Sequence, residues 1–397
     1  MKFRFSLLGA ALLLSASFFA GQGFAQQGVL KGPVHPTQVD DTFLQQAGAR
    51  AEFDHSDRTG PAAQDAKKLG RVLSVPTFTT SFNFQGQNFP VQMVGSAPHK
   101  GDTTEVPTQL IAISLFFDGY VDANGNNIVL DATPIVAPVL NSPNFRNASY
   151  RTGVTQFADA VQRAEFNGAM RDDWHTLLAK PELLKSVQIE VPPNTALGQV
   201  FQVRNSGKMY AIVDTSFFIS QLNTIIQLQN LNIQGLPIAL TNNVFLSPNA
   251  HVERCCVVGF HTAFDQGMRD GRQMLQTFVW ASYVSTGIFG GTFEDVIALS
   301  HEISEWMNDP FITNAVPRWQ YPNSTDCQSS METGDPMETM PNAGFPVTID
   351  TMTYHPQTQA LMQWFARKPA SDAINAAYSF PDESLLTAPA QACPAGR

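Results

Sequence analysis

The sequence predicts an α+β protein, because strand-like and helix-like patterns occur along the same chain. Apolar residues sit near alternating positions within residues 78–91, and a β-branched apolar run follows at residues 110–117, which predicts strands. Helical spacing of apolar residues occurs at residues 157–174 and again at residues 298–310. We therefore expect residues 76–397 to form one domain with a β-rich N-terminal part.

The N-terminal segment, residues 1–25, has the features of a signal peptide. Lys2 and Arg4 precede a short apolar run, and small residues stand at the expected cleavage position. The run is too short to span a membrane, so we expect a secreted or periplasmic protein without membrane insertion. Residues 26–75 are polar and interrupted by glycine and proline. They predict a weakly ordered lead-in or a propeptide, with one short helix near residues 41–51.

Charge narrows the class of partner. The chain has 24 Lys and Arg against 34 Asp and Glu, a formal net charge of −10, and it has no basic tract. Nucleic acids and anionic membrane surfaces repel such a chain, so neither is an expected partner. The sequence also lacks a glycine-rich phosphate loop, which argues against a nucleotide cofactor.

The central part of the chain alternates between strand-like and helix-like segments. Residues 122–127 contain Asn-Gly and predict a hairpin turn, since the position of the glycine does not match a calcium-binding loop. β-Branched and aromatic residues are typical of strands. On that basis we expect strands at residues 187–191, 209–218, 256–260 and 277–285, and a short helix at residues 219–228.

Four cysteines lie in the part of the chain that we expect to be exported: Cys255, Cys256, Cys327 and Cys393. Export permits disulfides, and four cysteines allow three pairings. Adjacent cysteines rarely bridge each other, so we expect one of Cys255 and Cys256 to pair with Cys327. A structural zinc site is the alternative, but the paired Cys-x-x-Cys spacing is missing.

The most informative segment reads Ser-His-Glu-Ile-Ser-Glu at residues 300–305. Residues four apart share one face of a helix, so His301 and Glu305 point the same way, as two ligands of one metal ion do. Glu302 then lies beside that ion, where a general base is needed. This is the zinc-peptidase pattern with the second histidine replaced by a carboxylate.

The surroundings of this segment favour a metal. Its apolar neighbours predict a buried helix, and burying three polar groups is costly unless a cation neutralises them. No Lys or Arg occurs from residue 273 to residue 317, so a divalent metal is the expected cation. The alternative is a polar stripe on the surface of an amphipathic helix. Thr292 is the expected N-cap, and Pro310 is expected to end the helix.

A catalytic zinc site needs a third protein ligand. The sequence offers His261, Asp309, Glu332, Asp335 and Glu338. Asp309 precedes a proline and is expected to cap or turn the helix end. Loops commonly carry metal ligands, and Gly334 permits a tight turn, so we prefer Glu332 and place Asp335 second.

Two further expectations concern the metal and His261. One histidine with two carboxylates suits zinc less tightly than a nitrogen-rich set, which leaves manganese or calcium open. His261 is either an outer ligand, a hydrogen-bond donor to a reaction oxyanion, or a structural residue at a strand end.

These segments together resemble a known family. Residues 256–262 are similar to the Cys-Gly-Trp/Tyr-His segment of the EXORDIUM-like, or phosphate-induced, secreted proteins. Residues 300–310 resemble their Ser-His-Glu-x-x-Glu-x-x-Thr-Asp/Asn-Pro segment, and Glu-Thr-Gly-Asp at residues 332–335 resembles their Glu-Ile-Gly-Asp. Pro336 and Met337 follow where that family has a cysteine. Bacterial secreted proteins with His-Glu-x-x-Glu peptidase segments are similar as well.

The resemblance implies a zincin-like α+β fold in which an active-site helix packs on a mixed sheet. The resemblance supports a metal at this helix. The helix motif itself predicts an exported metal-dependent hydrolase, namely a zinc metallopeptidase that acts on a peptide or protein. His301, Glu305 and Glu332 are the expected ligands, with Asp335 as a further candidate, and Glu302 is the expected general base. The alternative is a non-enzymatic secreted zincin-like protein that binds a partner at the cell envelope.

Overall fold

The structure is a computed structural model that describes residues 28–46, 72–338, 340–369 and 374–394. Strands and helices alternate through these residues, which confirms the α+β class. The expected signal peptide, residues 1–25, lies outside the described residues, and so do residues 47–71 of the expected lead-in. The α-helices are α1 (Phe43–Gln46), α2 (Val136–Leu140), α3 (Phe157–Glu165), α4 (Thr215–Leu228), α5 (Ile297–Asn308) and α6 (Met362–Ala366). Among the described residues, no helix combines the length and the apolar character needed to cross a membrane.

Strands occur along the whole described chain. The first half contains β1 (Thr37–Val39), β2 (Val72–Leu73), β3 (Thr77–Phe84), β4 (Gln87–Val94), β5 (Thr103–Val106), β6 (Thr108–Val121), β7 (Asn127–Leu130), β8 (Ala148–Tyr150), β9 (Gly153–Thr155), β10 (His175–Leu178), β11 (Glu182–Leu183) and β12 (Val187–Val191). The second half contains β13 (Gly198–Val203), β14 (Met209–Asp214), β15 (Leu236–Asn242), β16 (Val244–Ser247), β17 (Gly259–Arg269), β18 (Arg272–Tyr283), β19 (Ala315–Gln320), β20 (Cys327–Ser330), β21 (Val347–Ile349), β22 (Met352–Tyr354), β23 (Gln359–Ala360) and β24 (Ser379–Phe380). The strands expected at residues 110–117, 187–191 and 277–285 coincide with or overlap β6, β12 and β18.

The centre of the fold is a mixed sheet in which β11, β6, β15, β18 and β17 lie side by side in that order. β12 and β7 also pair with β6, and β2 pairs with β18. β15 runs parallel to both β6 and β18, whereas β17 is antiparallel to β18. Most of β6 is buried, because its continuous apolar run suits a strand that is covered on both faces.

Helices cover both faces of this sheet. Helix α5 packs on β17 and β18, and its apolar side chains share a core cluster with Val279 and Ala281 of β18. Helix α4 shares a different cluster with Phe278 and Trp280 of the same strand. Successive side chains of a strand point to opposite faces, so α4 and α5 flank the sheet. Every residue of α5 is buried.

Smaller sheets and hairpins surround these layers. β1, β13, β14 and β16 form a four-stranded sheet in that order, with β1 parallel to β13. β3 and β4 form an antiparallel hairpin, and so do β19 with β20 and β21 with β22. β6 and β7 also pair antiparallel, which confirms the turn expected at residues 122–127. The N-terminal part of the described chain is therefore rich in strands.

The start of α5 differs from the expectation. The helix begins at Ile297, with Val296 in the N-cap position, and Thr292 lies outside it. The hydroxyl of Thr292 accepts a hydrogen bond from the backbone N–H of Gly344 at 3.0 Å. A tertiary contact therefore uses the hydroxyl group that we expected to cap the helix.

Two other boundaries also differ. The strand expected at residues 209–218 ends at Asp214, whose carboxylate accepts from Phe217 N at 2.8 Å and so caps α4. The helix expected at residues 157–174 ends as α3 at Glu165. Gly168 follows with a φ of 87°, a left-handed conformation that no helix continues through.

The expected disulfide between Cys327 and one of the adjacent cysteines is wrong. Cys327 bonds to Cys393, and Cys255 bonds to Cys256. The residue before Cys393 forms a β-bridge with Trp319 of β19, which brings the C-terminal segment beside β20. The Cα atoms of Cys327 and Cys393 are therefore only 6.1 Å apart, although 66 positions separate them in the sequence.

Candidate metal centre

Six ionisable side chains converge at helix α5. The helix contributes His301, Glu302 and Glu305, strand β17 contributes His261, and the loop after β20 contributes Glu332 and Asp335. All six residues are at most 6% exposed. Two sets of one histidine and two carboxylates lie close enough together to hold an ion. We name them the His301 group (His301, Glu305, Asp335) and the His261 group (His261, Glu305, Glu332); they share Glu305.

The His301 group brings three candidate ligand atoms within 4.8 Å of one another. His301 Nε2 is 2.9 Å from Glu305 Oε2 and 3.6 Å from Asp335 Oδ1. The first distance follows from the i, i+4 spacing on α5. The second depends on the loop after β20, which turns back over the helix. One nitrogen and two oxygens therefore face a common point.

The His301 ring is held from its other side. His301 Nδ1 donates to Gln357 Oε1, and the side-chain amide of Gln357 donates to the carbonyl of Gly334 at 3.2 Å. The second bond sets which end of the amide faces the ring, so Nδ1 carries the proton and Nε2 is directed at the carboxylates. A Cβ on Gly334 would lie 2.3 Å from His301 Nδ1, so only glycine permits this close approach.

Each carboxylate of the His301 group is oriented by one of its oxygens. Glu305 Oε1 accepts from the backbone N–H groups of Gly334 at 2.8 Å and Asp335 at 3.3 Å. Asp335 Oδ2 accepts from the hydroxyl of Tyr321 at 3.2 Å and from the side-chain amide of Gln328. Glu305 Oε2 and Asp335 Oδ1 are the oxygens that remain towards the imidazole. Such outer hydrogen bonds are typical of side chains that hold metals.

The His261 group is arranged differently. His261 Nδ1 donates to Glu302 Oε2 at 3.1 Å, and His261 Nε2 donates to the backbone carbonyl of Asp309 at 3.2 Å. Only the protonated imidazolium donates from both nitrogens. Burial lowers the pKa of His261, but the hydrogen bond to Glu302 and the charges of Glu332, Glu302 and Glu305 outweigh burial and raise the pKa to about 10. The protonated ring is thus a cation for this group.

The His301 group has no such internal cation. Burial lowers the pKa of His301, against the nearby charges of Glu302 and Asp335. Burial raises the pKa of Glu305, with Asp335 as the next cause, and burial raises the pKa of Glu332, with Glu305 as the next cause. Among the described residues, Glu302, Glu305 and Glu332 form ion pairs with histidine but not with lysine or arginine. A further cation would therefore neutralise buried negative charge.

The two carboxylates that were expected to compete as third ligand lie in different groups. Asp335 joins His301 and Glu305, whereas Glu332 Oε2 lies 3.8 Å from His261 Nε2. Glu332 Oε2 is buried and has no hydrogen-bond partner among the described residues. The geometry therefore favours Asp335 over Glu332, which is the reverse of the order that we preferred from the sequence.

Two other candidates from the sequence lie outside both groups. The carboxylate of Asp309 accepts from the backbone N–H groups of Thr313 at 2.9 Å and Asn314 at 2.8 Å, so it turns the chain after α5 as expected. Glu338 is half-buried, and its charge acts on His301 from outside the group. Neither side chain belongs to the residue sets that could hold an ion.

Glu302 belongs to neither group, but its charge acts on both histidines. Its Oε2 accepts from His261, while its Oε1 is buried without a hydrogen-bond partner in the described chain. A Cβ on Gly259 would lie 2.7 Å from Glu302 Oε1, so the start of β17 approaches this carboxylate as closely as a glycine allows. One oxygen of Glu302 is therefore held by His261, and the other makes no hydrogen bond within the described residues.

A third histidine and carboxylate set lies just before α5. His355 Nδ1 is 2.8 Å from Asp295 Oδ2 and 3.2 Å from Glu294 Oε1. Asp295 Oδ1 also accepts from the backbone N–H groups of Val296 and His355. These contacts fix the start of the helix.

Sequence reasoning missed the side chains that orient the candidate ligands. Gln357, Tyr321 and Gln328 lie outside the helix motif, and each contacts the His301 group only through the tertiary fold. Gly334 was noted as a turn residue, although its closest contact is with the His301 ring. No spacing rule connects these positions, so the sequence carried no signal for them.

Comparison of the chain with family models, with curated proteins and with solved structures gives no match.

Proposed function

We propose that this protein is a metal-dependent hydrolase whose substrate is a peptide or protein. The observation that carries the proposal is the His301 group, in which His301 Nε2, Glu305 Oε2 and Asp335 Oδ1 face a common point beside Glu302. Three protein ligands leave a coordination position for water or substrate, as in catalytic zinc sites.

The residues around that point divide the chemistry between them. When bound, a divalent cation supplies Lewis-acid chemistry and makes water at the site more acidic. Glu302 accepts a proton from the attacking water on Oε1 and then donates it to the leaving amine. His261 holds Glu302 Oε2 and keeps this carboxylate in place. Because both nitrogens of His261 already donate, this positioning role is favoured over the role of oxyanion donor.

Zinc is the proposed cofactor, with manganese or calcium as alternatives. An imidazole nitrogen directed at the site suits zinc, and two carboxylate oxygens make the set harder than a histidine-rich one. The hydrogen bond from His301 Nδ1 to Gln357 supports the proposal, because metal-ligating histidines almost always donate their other N–H to an oxygen.

We further propose a zincin-like arrangement in an exported protein. Helix α5 on a mixed sheet, with the antiparallel β17 alongside, supports the first part. The two disulfides support the second, because such bonds persist in oxidising compartments and are rare in the cytosol. The resemblance to EXORDIUM-like secreted proteins agrees with both and stays a prediction.

A structural metal site is the second candidate. All six side chains of the centre are buried, and structural metal sites are closed whereas catalytic ones keep an accessible position. In this case the metal stabilises a secreted protein that binds a partner at the cell envelope, and Glu302 has no part in turnover.

Metal content tests the site. We would measure it by inductively coupled plasma mass spectrometry in the wild type and in His301→Ala, Asp335→Asn and Glu332→Gln. The wild type and Glu332→Gln are expected to retain stoichiometric metal, whereas the other two variants lose it. Retention of metal by His301→Ala would show that the ion binds elsewhere.

Cleavage of a peptide library separates the two candidates. Glu302→Gln is expected to keep its metal and to lower the rate of cleavage by about 100- to 10,000-fold, the usual contribution of general acid–base catalysis. An unchanged rate in Glu302→Gln overturns the mechanism. Bound metal without turnover of any peptide by the wild type leaves the structural site as the correct candidate.

A further inference from the structure

A cleft lies on the face of the central sheet opposite the candidate metal centre. It has a volume of about 750 Å³ and is bounded by helix α4 and by strands β17 and β18. His261 of β17 faces α5, whereas its neighbours Phe260 and Thr262 line the cleft, as the alternation of a strand requires. The volume is within the range of sites that bind small molecules or single segments of a chain.

Three aromatic rings line the floor of this cleft, of which Phe260 and Phe278 are buried, at 2% and 1% exposed. Phe260, Phe264 and Phe278 all line it. The ring centroids of Phe260 and Phe264 lie 6.0 Å and 5.9 Å from that of Phe278, in edge-to-face arrangements. Phe264 is partly exposed, so an apolar ring is open to the cleft.

The wall of the cleft is a face of α4 that carries hydroxyl and amide groups. Its members are exposed and follow the helical period: Ser216, Ser220, Asn223, Thr224 and Gln227. No Asp, Glu, Lys, Arg or His occurs between Asp214 and His251, although 15% of the residues in the chain are charged. The solvent face of a helix normally carries charged residues, so this neutral face calls for an explanation.

We propose that this cleft binds a neutral carbohydrate chain. The hydroxyl of Thr224 already donates to the Ser220 carbonyl at 2.9 Å and is left as an acceptor. The other hydroxyl and amide groups of this wall can both donate and accept hydrogen bonds, which matches the hydroxyl groups of a sugar. The partly exposed ring of Phe264, which packs on the buried Phe278, suits the apolar C–H face of a sugar ring, since aromatic side chains supply a flat apolar surface. The lining lacks charge of either sign, so an anionic polymer or a charged peptide gains no ion pair there. The site is separate from the metal centre, and its function does not depend on the proposed hydrolase.

Calorimetric titration with neutral hexasaccharides tests the proposal. The probes are the β-1,4-linked hexamers of glucose, N-acetylglucosamine, mannose and xylose. At least one is expected to bind the wild type. The double variant Asn223→Ala/Gln227→Ala is expected to weaken that binding by about tenfold or more, because two hydrogen-bonding side chains are lost. Phe264→Ala is expected to weaken it to a similar degree.

Two controls keep the result specific. Asn88→Ala removes an exposed amide in the β3–β4 hairpin and should leave binding unchanged, and so should His301→Ala in the metal centre. Should Phe264→Ala lower thermal stability, Ser220→Glu places a charge on the exposed face of α4 and tests the same wall. The proposal is overturned if none of the hexasaccharides binds at about millimolar concentration, if binding survives the cleft variants, or if a neutral hexapeptide binds there more tightly.

Discussion

The two histidines of the centre have opposite preferences for a proton, although each faces buried carboxylates. His261 donates from both nitrogens and has a pKa raised to about 10. His301 donates from Nδ1 to Gln357, and burial lowers its pKa. The same residue types therefore make one group whose histidine is a cation and one group whose histidine is neutral.

This difference shows why a set of metal-ligand residue types is a weak indicator of a metal. In the His261 group, a protonated imidazolium already lies beside the carboxylates of Glu305 and Glu332, so an added ion would have to displace a proton. In the His301 group, the neutral ring directs a nitrogen at Glu305 and Asp335. The His261 and His301 groups are distinguished by the partner of the second ring nitrogen and by the charge of the histidine.

Replacing each histidine by leucine should give the largest measurable difference in stability between the two groups. With a chelator present, His261→Leu removes the cation from buried carboxylates and is expected to lower the free energy of unfolding by about 3–5 kcal/mol. His301→Leu is expected to cost less in chelator, because a neutral ring is replaced by an apolar side chain. Urea unfolding measures both effects.

When zinc is added, the ranking of the same two variants by free energy of unfolding should reverse. A bound ion at about 1,000 times its Kd adds roughly 4 kcal/mol to the free energy of unfolding. His261→Leu should keep this increment, and His301→Leu should lose it. Equal destabilisation of the two variants in chelator would show that the histidines carry the same charge.

Local patterns predicted the core of this centre but not its completion. The i, i+4 spacing was enough to put His301 and Glu305 on one helix face, and the absence of nearby Lys or Arg was visible in the sequence. The sequence could not show that Asp335 is favoured over Glu332, because this depends on Tyr321 and Gln328, which hold Asp335 from a neighbouring hairpin. Tertiary hydrogen bonds decide between carboxylates that local sequence makes equivalent.

In the fold, too, local sequence predicted some features, whereas others depend on tertiary contacts. The strand β6 and the Asn-Gly turn after it could be predicted, because both depend on residues that are close in sequence. The pairing of Cys327 with Cys393 could not be predicted, because the C-terminal segment returns beside β19 only in the folded chain. The prediction that Thr292 caps α5 was wrong for a related reason, because the Thr292 hydroxyl accepts a hydrogen bond from the backbone N–H of Gly344.

The pH dependence of stability gives a second test of the difference between the two histidines. The pKa of His261 is raised to about 10 from 6.5, so the folded state keeps a proton that the unfolded chain loses. Its contribution is fully present below about pH 6.5 and is lost as the pH rises through about 10. The raised pKa values of Glu305 and Glu332 act in the same direction, because the folded state again binds more protons.

In chelator, we therefore expect the free energy of unfolding to fall as the pH rises from neutral to about 10. His261→Gln should flatten this decline, and His175→Gln, outside the centre, should not. Chemical unfolding at a series of pH values measures the slope. A slope in His261→Gln equal to that of the wild type would mean that His261 is not the group that keeps its proton.

Substitution of two glycines gives a matched pair of tests with a smaller expected effect, because one glycine lies against His301 and the other against Glu302. A Cβ would lie 2.3 Å from His301 Nδ1 at Gly334 and 2.7 Å from Glu302 Oε1 at Gly259. Neither glycine has a positive φ, so the cost of alanine is steric. Each substitution should lower stability by about 1–3 kcal/mol, as overpacking does.

The two alanine variants should differ in metal binding. Gly334→Ala displaces the His301 ring and should weaken zinc affinity, whereas Gly259→Ala displaces Glu302 and should leave affinity near that of the wild type while lowering any turnover. Zinc titration and thermal unfolding give the two readouts. If Gly259→Ala weakens zinc more than Gly334→Ala does, the ion belongs to the His261 group.

Gln357 provides the finest distinction, because it acts on His301 without touching the candidate ion. Gln357→Leu removes the acceptor for His301 Nδ1, so the ring loses its fixed tautomer, and zinc affinity is expected to fall by about 10- to 100-fold. Gln357→Glu retains an acceptor and should keep most of the affinity, although it loses the bond to the Gly334 carbonyl. The loss should stay below that of His301→Ala, since the close contact with Gly334 still restrains the ring. Wild-type affinity in Gln357→Leu would mean that packing alone orients His301.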